Sequence, residues 1–196
     1  MSEDTLFPIA DPAEFDIEAF LQDAKLPEES VTVYKRSDVV AELSDLKRRI
    51  ALEDRAKTAE RSSGEEALSP LEQEYLALLE TFSKSALTVY VRALTDEEMR
   101  DQRKLTEERT KDLDPKDANL EFGYDLLSRA IVGLKAAGGE RKLANFTPAK
   151  VKALRKAIGE TQVSMILTAR QMAQNAMPSV DADFLQKRSG EETGDA

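Results

Sequence analysis

The sequence predicts a mainly α-helical protein with a small two-stranded antiparallel β element, a helical hairpin arm and disordered termini. Helical spacing dominates, because apolar residues recur at steps of three and four through much of residues 120–177. Two stretches instead alternate in the manner of strands, residues 31–36 and residues 87–93. Both ends of the chain are polar and lack an apolar period, which is typical of segments that cannot bury a core.

The composition narrows the classes of function. Charged residues make up 34 % of the 196 residues, and the net charge is −10 with the basic residues scattered; nucleic-acid binding needs a clustered positive surface. The chain contains neither cysteine nor histidine, which excludes disulfides, thiolate metal ligands and the usual general base near neutral pH. No run reaches the roughly 20 apolar residues of a membrane span. These observations predict a cytosolic, non-secreted protein without a nucleic-acid or membrane partner.

The chain divides by pattern into four parts. Residues 1–14 contain two prolines and no apolar period, so they are expected to be disordered. Residues 15–95 are expected to form a helix, a strand, a helical hairpin and a second strand. Residues 96–177 are expected to form a charged connector and a helical core. Residues 178–196 form a polar, disordered tail in this interpretation.

Local signals fix several element starts in residues 15–95. Asp16 is a candidate cap for a short helix that ends before Pro27, and Ser37 or Asp38 is a candidate cap for a long one. Ser69-Pro70 begins the next helix, because proline at the first helical position gives up only an N–H group without a partner.

The two helices between the predicted strands carry narrow apolar stripes. The first stripe is Val39, Leu43, Leu46 and Ile50, and the second is Leu71, Tyr75, Leu78 and Phe82. Two apolar residues per turn suit a helix–helix seam better than a broad core face. The stripes are predicted either to pack on one another as a hairpin or to grip an outside helix or another copy of the chain. A hairpin would return the chain so that residues 31–36 and 87–93 pair antiparallel.

The C-terminal part is predicted to hold the core. Thr95 begins a highly charged segment, interpreted as a solvated helix or a loose connector. An amphipathic helix then runs from Leu120 to Leu134 and is ended by Gly138-Gly139. Thr147-Pro148 begins a second helix, which Gly159 separates from a third. The residues expected to hold the fold together are Tyr124, Leu127, Ile131, Val163 and Ile166. In the tail, Val180, Phe184 and Leu185 are further candidates for partner binding.

No cluster of residues predicts catalysis. Acidic pairs such as Asp96-Glu97 and Asp181/Asp183 lie in charge-rich stretches, without the apolar surroundings that raise a carboxyl pKa. Gly138-Gly139 follows a helix rather than a strand, unlike a phosphate-binding loop. We therefore expect no catalytic, cofactor-binding or metal-ligating residue and no cofactor.

Taken in order, several stretches resemble the tail assembly chaperones of long-tailed, siphovirus-type bacteriophages of actinobacteria. The likeness lies in FDIEAFL at residues 15–21, AKLP at 24–27, VTVY at 31–34, SALTVYVRAL at 85–94, FTPAKVKAL at 146–154, IGETQ at 158–162 and VDADFL at 180–185. It covers most of the chain and consists of helix starts and apolar spacings. Members of that group often carry tryptophan in the N-terminal and closing helices, where this chain has phenylalanine and valine.

The resemblance implies a non-enzymatic chaperone in the host cytoplasm that coats the tape measure protein until tail tube subunits polymerise around it. The implied partners are the tape measure protein and, as a second candidate, the tail tube protein; self-association is a further expectation. A competing interpretation is a structural virion component, such as a head–tail connector, neck protein or minor tail component. A third is a small regulatory or adaptor protein outside any phage. A chaperone is expected to be absent from finished particles, whereas a connector is present in fixed copy number.

Overall fold

The computed structural model describes residues 16–22, 24–57 and 68–176. Within these ranges the chain forms seven α-helices and a four-stranded antiparallel sheet. The predicted mainly helical class is confirmed, while the predicted two-stranded β element is wrong in its number of strands. The segments predicted as disordered, 1–14 and 178–196, lie outside the described residues, and so do Val180, Phe184 and Leu185.

The elements follow one another in two groups that share the sheet. The first group is α1 (Ile17–Gln22), β1 (Glu28–Tyr34), a 3-10 turn (Ser37–Val39), α2 (Val40–Lys57), α3 (Pro70–Lys84) and β2 (Ala86–Arg92). The second is α4 (Asp96–Thr110), α5 (Pro115–Ala130), β3 (Ile131–Ala136), β4 (Lys142–Leu143), α6 (Pro148–Ile158) and α7 (Glu160–Asn175). The strand order is β1-β2-β3-β4, so residues 15–95 and 96–177 contribute two strands each to one sheet.

Four helices begin where the capping residues predict. The expected cap of the long helix is wrong, because Ser37 and Asp38 lie inside the 3-10 turn that precedes α2, and Arg36 stands at the N-cap of that turn without a side-chain capping hydrogen bond. The Asp16 carboxylate accepts hydrogen bonds from two backbone N–H groups in the first turn of α1, both at 3.0 Å. Ser69 and Thr95 each form a complete capping box with the glutamate three residues later. Thr147 caps α6 with its side chain. Gly159, with φ +84°, separates α6 from α7 in a left-handed conformation that other residues rarely adopt.

The predicted pairing of β1 with β2 is confirmed. The two strands are antiparallel, with Thr32 opposite Thr88, and the hydroxyl oxygens of that pair lie 3.2 Å apart. Val33, Val89 and Val91 point to the opposite face and are fully buried against the helices. One face of the sheet is therefore polar and the other belongs to the core, as the period of two requires.

β3 is the main departure from the sequence prediction. A helix was expected through Leu134, but α5 ends at Ala130 and the backbone at Ile131 becomes extended. The β-branched pair Ile131-Val132 favours a strand, and pairing with β3 satisfies backbone groups on the second edge of β2. Gly138, with φ +69°, lies in the turn between β3 and β4 and does not end a helix.

The core lies between the sheet and helices α5, α6 and α7. Its buried members are Val33, Val89, Val91, Tyr124, Leu127, Ile131, Val151, Ile158, Val163, Ile166 and Ala169. All five predicted core residues belong to this set, which confirms that prediction. Gln162 of α7 also fastens the sheet edge, since its amide accepts from the Tyr34 N–H at 2.6 Å and donates to the Tyr34 carbonyl at 2.9 Å. No helix in the described ranges is long and apolar enough to cross a membrane.

Candidate functional site

Helices α2 and α3 form an antiparallel arm, which is one of the two arrangements that the sequence left open. They pack mainly on one another and on the 3-10 turn. Val39, Leu43 and Leu46 are exposed by only 4 %, 9 % and 2 %, and Ile50 is half-buried. The first predicted stripe therefore faces the inside of the arm and presents little surface to an outside helix.

The second stripe is covered much less completely. None of the fifteen residues of α3 is buried, and Leu71, Tyr75, Leu78 and Phe82 are all half-buried. Further large apolar side chains of the arm are exposed by about half, namely Val40, Leu52, Leu68 and Leu76. The arm thus has apolar surface that the described part of the chain leaves open, whereas most large apolar side chains of the core are covered.

The base of the arm is fastened to the sheet. The Tyr34 ring stacks on the Phe82 ring with centroids 4.2 Å apart and planes inclined by 12°. Ser85, between α3 and β2, accepts hydrogen bonds from the backbone N–H groups of Lys35 and Arg36, both at 3.2 Å. These contacts fix the point from which the arm projects.

A buried polar network joins α4 to α5. The Asp125 carboxylate, 1 % exposed, accepts from the Thr106 hydroxyl at 2.5 Å and from the Arg109 guanidinium at 2.7 Å. Gln102, also buried, accepts from Arg129 Nε at 2.6 Å. The segment was expected to be a solvated helix or loose connector, and the loose connector is wrong. Its charged residues are mostly solvated, but one face carries buried polar residues whose partners come from α5.

The ion pair between Arg92 and Glu98 fastens the start of α4 to the sheet. The Glu98 carboxylate accepts two guanidinium hydrogen bonds, at 2.5 and 2.9 Å, and also receives the backbone N–H of Thr95 at 2.9 Å. Chiefly because of the Arg92 hydrogen bonds, the pKa of Glu98 falls to about 2. This side chain therefore stays charged well below neutral pH.

A groove of about 640 Å³ opens between α4, α5 and α7. Its apolar part consists of Met99, Phe122 and Leu126, next to a small buried cluster that includes Leu94 and Ala130. Its charged residues are Asp96, Arg100, Arg103 and Arg170. Sequence reasoning missed this groove. The available signal was Met99, one of the few apolar residues of the charged segment, with Arg103 one turn later on the same side of α4.

Comparison with known proteins adds no identification: no family model matches the chain, and neither a curated protein nor a solved structure does. The described residues also contain no group of three or more acidic side chains placed to hold a metal ion. The features that bear on function are therefore the open apolar side of the arm and the arginine-lined groove.

Proposed function

We propose that this chain is a non-enzymatic binding protein for amphipathic helices and, in line with the resemblance, a tail assembly chaperone whose client is the tape measure protein. The observation that carries the proposal is α3, an amphipathic helix with no buried residue. Its capping box and its proline in the first turn favour the helix locally. Its uncovered side is thus available to a second helix, in the manner of helix-in-groove recognition.

The size of this surface suits reversible binding. Covering a half-exposed aliphatic side chain contributes about 1 kcal/mol, so the four half-exposed residues Val40, Leu52, Leu68 and Leu76 together supply about 4 kcal/mol. Association costs about 4–15 kcal/mol in lost translational and rotational freedom. A single arm on a single helix is therefore a weak complex. Weak contacts repeated along a long client hold it in solution and still release it when another protein displaces the chaperone.

The charge of the chain supports the same role. Each bound copy brings a net charge of −10, and like charges on neighbouring copies oppose aggregation of a client coated with many of them. The competing proposal, a structural component of the virion, requires stable contacts between copies in a finished particle.

The test is co-expression of the full chain with a phage tape measure protein, measured as the soluble fraction of that client. The informative variant is Leu76→Asp, which changes a 47 % exposed apolar residue of α3. Ala77→Asp is the matched control, because Ala77 is exposed on the next position of the same helix. We expect Leu76→Asp to weaken client binding about tenfold and Ala77→Asp to act like the wild type.

Two results contradict the proposal. One is a client that is equally soluble with and without this chain, or equally soluble with both variants. The other is detection of the chain in purified particles at a fixed copy number, which favours a head–tail connector or minor tail component.

A further inference from the structure

We propose that the groove between α4, α5 and α7 binds an acidic peptide segment of a partner protein, one in which a carboxylate side chain lies beside an aromatic or aliphatic one. The groove and the arm are built from different helices, so this inference does not depend on the client proposed above. It rests on three arginines that line the groove, Arg100, Arg103 and Arg170, and on the apolar residues between them.

Arg170 of α7 is the most informative of the three. It lines the groove, is 9 % exposed, and its buried Nε has no hydrogen-bond partner among the described residues. Within the same residues its Nη2 reaches the Met99 sulfur, at 3.3 Å, and the Gln174 side-chain oxygen, at 3.4 Å. A thioether is a weak acceptor, whereas a guanidinium offers five donors. Burial also lowers the pKa of Arg170, as expected of a cation without a counter-ion.

Arg100 and Arg103 carry the positive charge to the mouth of the groove. The Arg103 guanidinium lies 5.5 Å from the centroid of the Phe122 ring, and Arg100 Nε donates to the Asp96 backbone carbonyl at 3.2 Å. Across the described residues, no ion pair involves Arg100, Arg103 or Arg170. Three arginines and one carboxylate, that of Asp96, give the residues that line the groove a net charge of about +2.

Other arginines of this acidic chain behave differently. Arg92 pairs with Glu98, Arg109 with Asp125, and Arg141 with Glu28. In a protein with 38 acidic and 28 basic residues, three neighbouring arginines that form no ion pair among the described residues are a local reversal of charge. A guanidinium recognises a carboxylate through paired, charge-assisted hydrogen bonds, so the missing acceptor is the natural ligand group.

The apolar part of the groove determines which kind of side chain can bind next to the carboxylate of the peptide. Met99 and Phe122 are half-buried and continue the buried surface of Leu126. They offer contact to an aromatic or aliphatic side chain next to the acidic one. A nucleic acid fits less well, because only three cations face a polyanion that the net charge of −10 repels. A volume of about 640 Å³ is enough for a few side chains of a peptide.

Fluorescence anisotropy on the full chain tests this inference. The probe is a short fluorescein-labelled synthetic peptide in which Asp and Glu alternate with Phe and Leu; its counterpart carries Asn and Gln at the acidic positions. We expect the acidic peptide to bind and the amide peptide to bind at least about tenfold more weakly. Arg103→Gln and Arg100→Gln, both at exposed positions, should each weaken binding about fivefold.

The control variant is Lys104→Gln, which removes one exposed positive charge from the same helix outside the groove lining. It should leave the affinity within twofold of the wild type. Arg170→Gln should abolish binding, and circular dichroism checks that this variant is folded. If it does not fold, the affinities of Arg100→Gln and Arg103→Gln decide the question.

Four results overturn the inference. The first is equal binding of the acidic and amide peptides. The second is an equal loss in Lys104→Gln and Arg103→Gln. The third is displacement of the peptide by oligothymidylate, which assigns the groove to nucleic acid. The fourth is tighter peptide binding after Asp181→Asn with Asp183→Asn, which makes the chain's own acidic stretch the occupant in place of a partner.

Discussion

The body and the arm of this protein are both built from amphipathic segments, but they bury them to different extents. In the body, formed by the sheet with α5, α6 and α7, Leu127, Ile166 and Val89 are exposed by at most 1 %. In the arm, formed by α2 and α3, Leu43 and Leu46 of α2 are buried and no residue of α3 is. The difference follows from the number of neighbours, since a body helix packs on several elements and α3 packs mainly on one helix. The body therefore carries most of the buried apolar contacts, and the arm has apolar surface that the described residues leave uncovered.

The largest expected effect is the loss of the folded structure after a substitution in the core of the body. Leu127→Asp places a carboxylate without a partner in the core, where Leu127 is 1 % exposed. We expect a loss of about 5 kcal/mol or more, enough to unfold the chain. Circular dichroism and urea unfolding measure it, and a folded, cooperative Leu127→Asp protein would contradict the assignment of the core.

The next effect concerns the buried polar network that joins α4 to α5. Asp125→Ala leaves the Thr106 hydroxyl and the Arg109 guanidinium without their buried acceptor. We expect the free energy of unfolding to fall by about 1–3 kcal/mol, because the half-exposed Arg109 can be solvated and the buried Thr106 hydroxyl cannot. Glu108→Ala is the control, because it removes an exposed carboxylate from α4, the helix on the other side of the network. Equal urea midpoints for the two variants would show that the network does not stabilise the packing of α4 on α5.

A smaller effect depends on pH. The pKa of Glu98 in the folded protein, about 2, lies below the ordinary value of 4.5, chiefly because of the hydrogen bonds from Arg92. The charged form is therefore the stabilising one. Its contribution is complete above the ordinary pKa and is lost as the pH falls toward 2. We expect Glu98→Gln to cost about 1–2 kcal/mol at neutral pH, and the difference from the wild type to shrink between about pH 5 and pH 3. A difference that is constant across that range would exclude this linkage.

The smallest effect is expected in the arm. Leu76→Asp makes the same chemical change as Leu127→Asp, but at a residue that is 47 % exposed. The free energy of unfolding should change by less than about 0.5 kcal/mol. Urea unfolding of the two variants side by side measures the contrast between body and arm directly, and a loss of several kcal/mol in Leu76→Asp would erase it.

The sequence predicts well those features of the fold that depend on residues close together in the chain. The helix starts at Ser69, Thr95 and Thr147 depend on side chains that cap backbone groups a few residues away. The pairing of β1 with β2 follows from two alternating stretches and a helical return between them. The buried face of α5 follows from steps of three and four, so Tyr124 and Leu127 are found in the core.

What the sequence predicts poorly is decided by distant partners. Leu127, Ile131 and Leu134 continue a helical spacing, yet the open edge of β2 takes residue 131 onward as a strand. The inner stripe of the arm fits a closed hairpin and an open groove equally well, and only the packing of α3 on α2 separates the two. The polar face of α4 resembles a solvated surface until the Asp125 side chain, 19 residues along from Thr106, supplies its acceptor.

The central claim is that the arm binds the client while the body holds the fold. Amide hydrogen exchange, measured on the full chain alone and in its co-purified complex with the tape measure protein, tests this claim most directly. We predict slower exchange in α3 and α2 of the complex and unchanged exchange in β1, β2 and α7. Slower exchange confined to the sheet and α7, or an arm that exchanges equally in both samples, would contradict it.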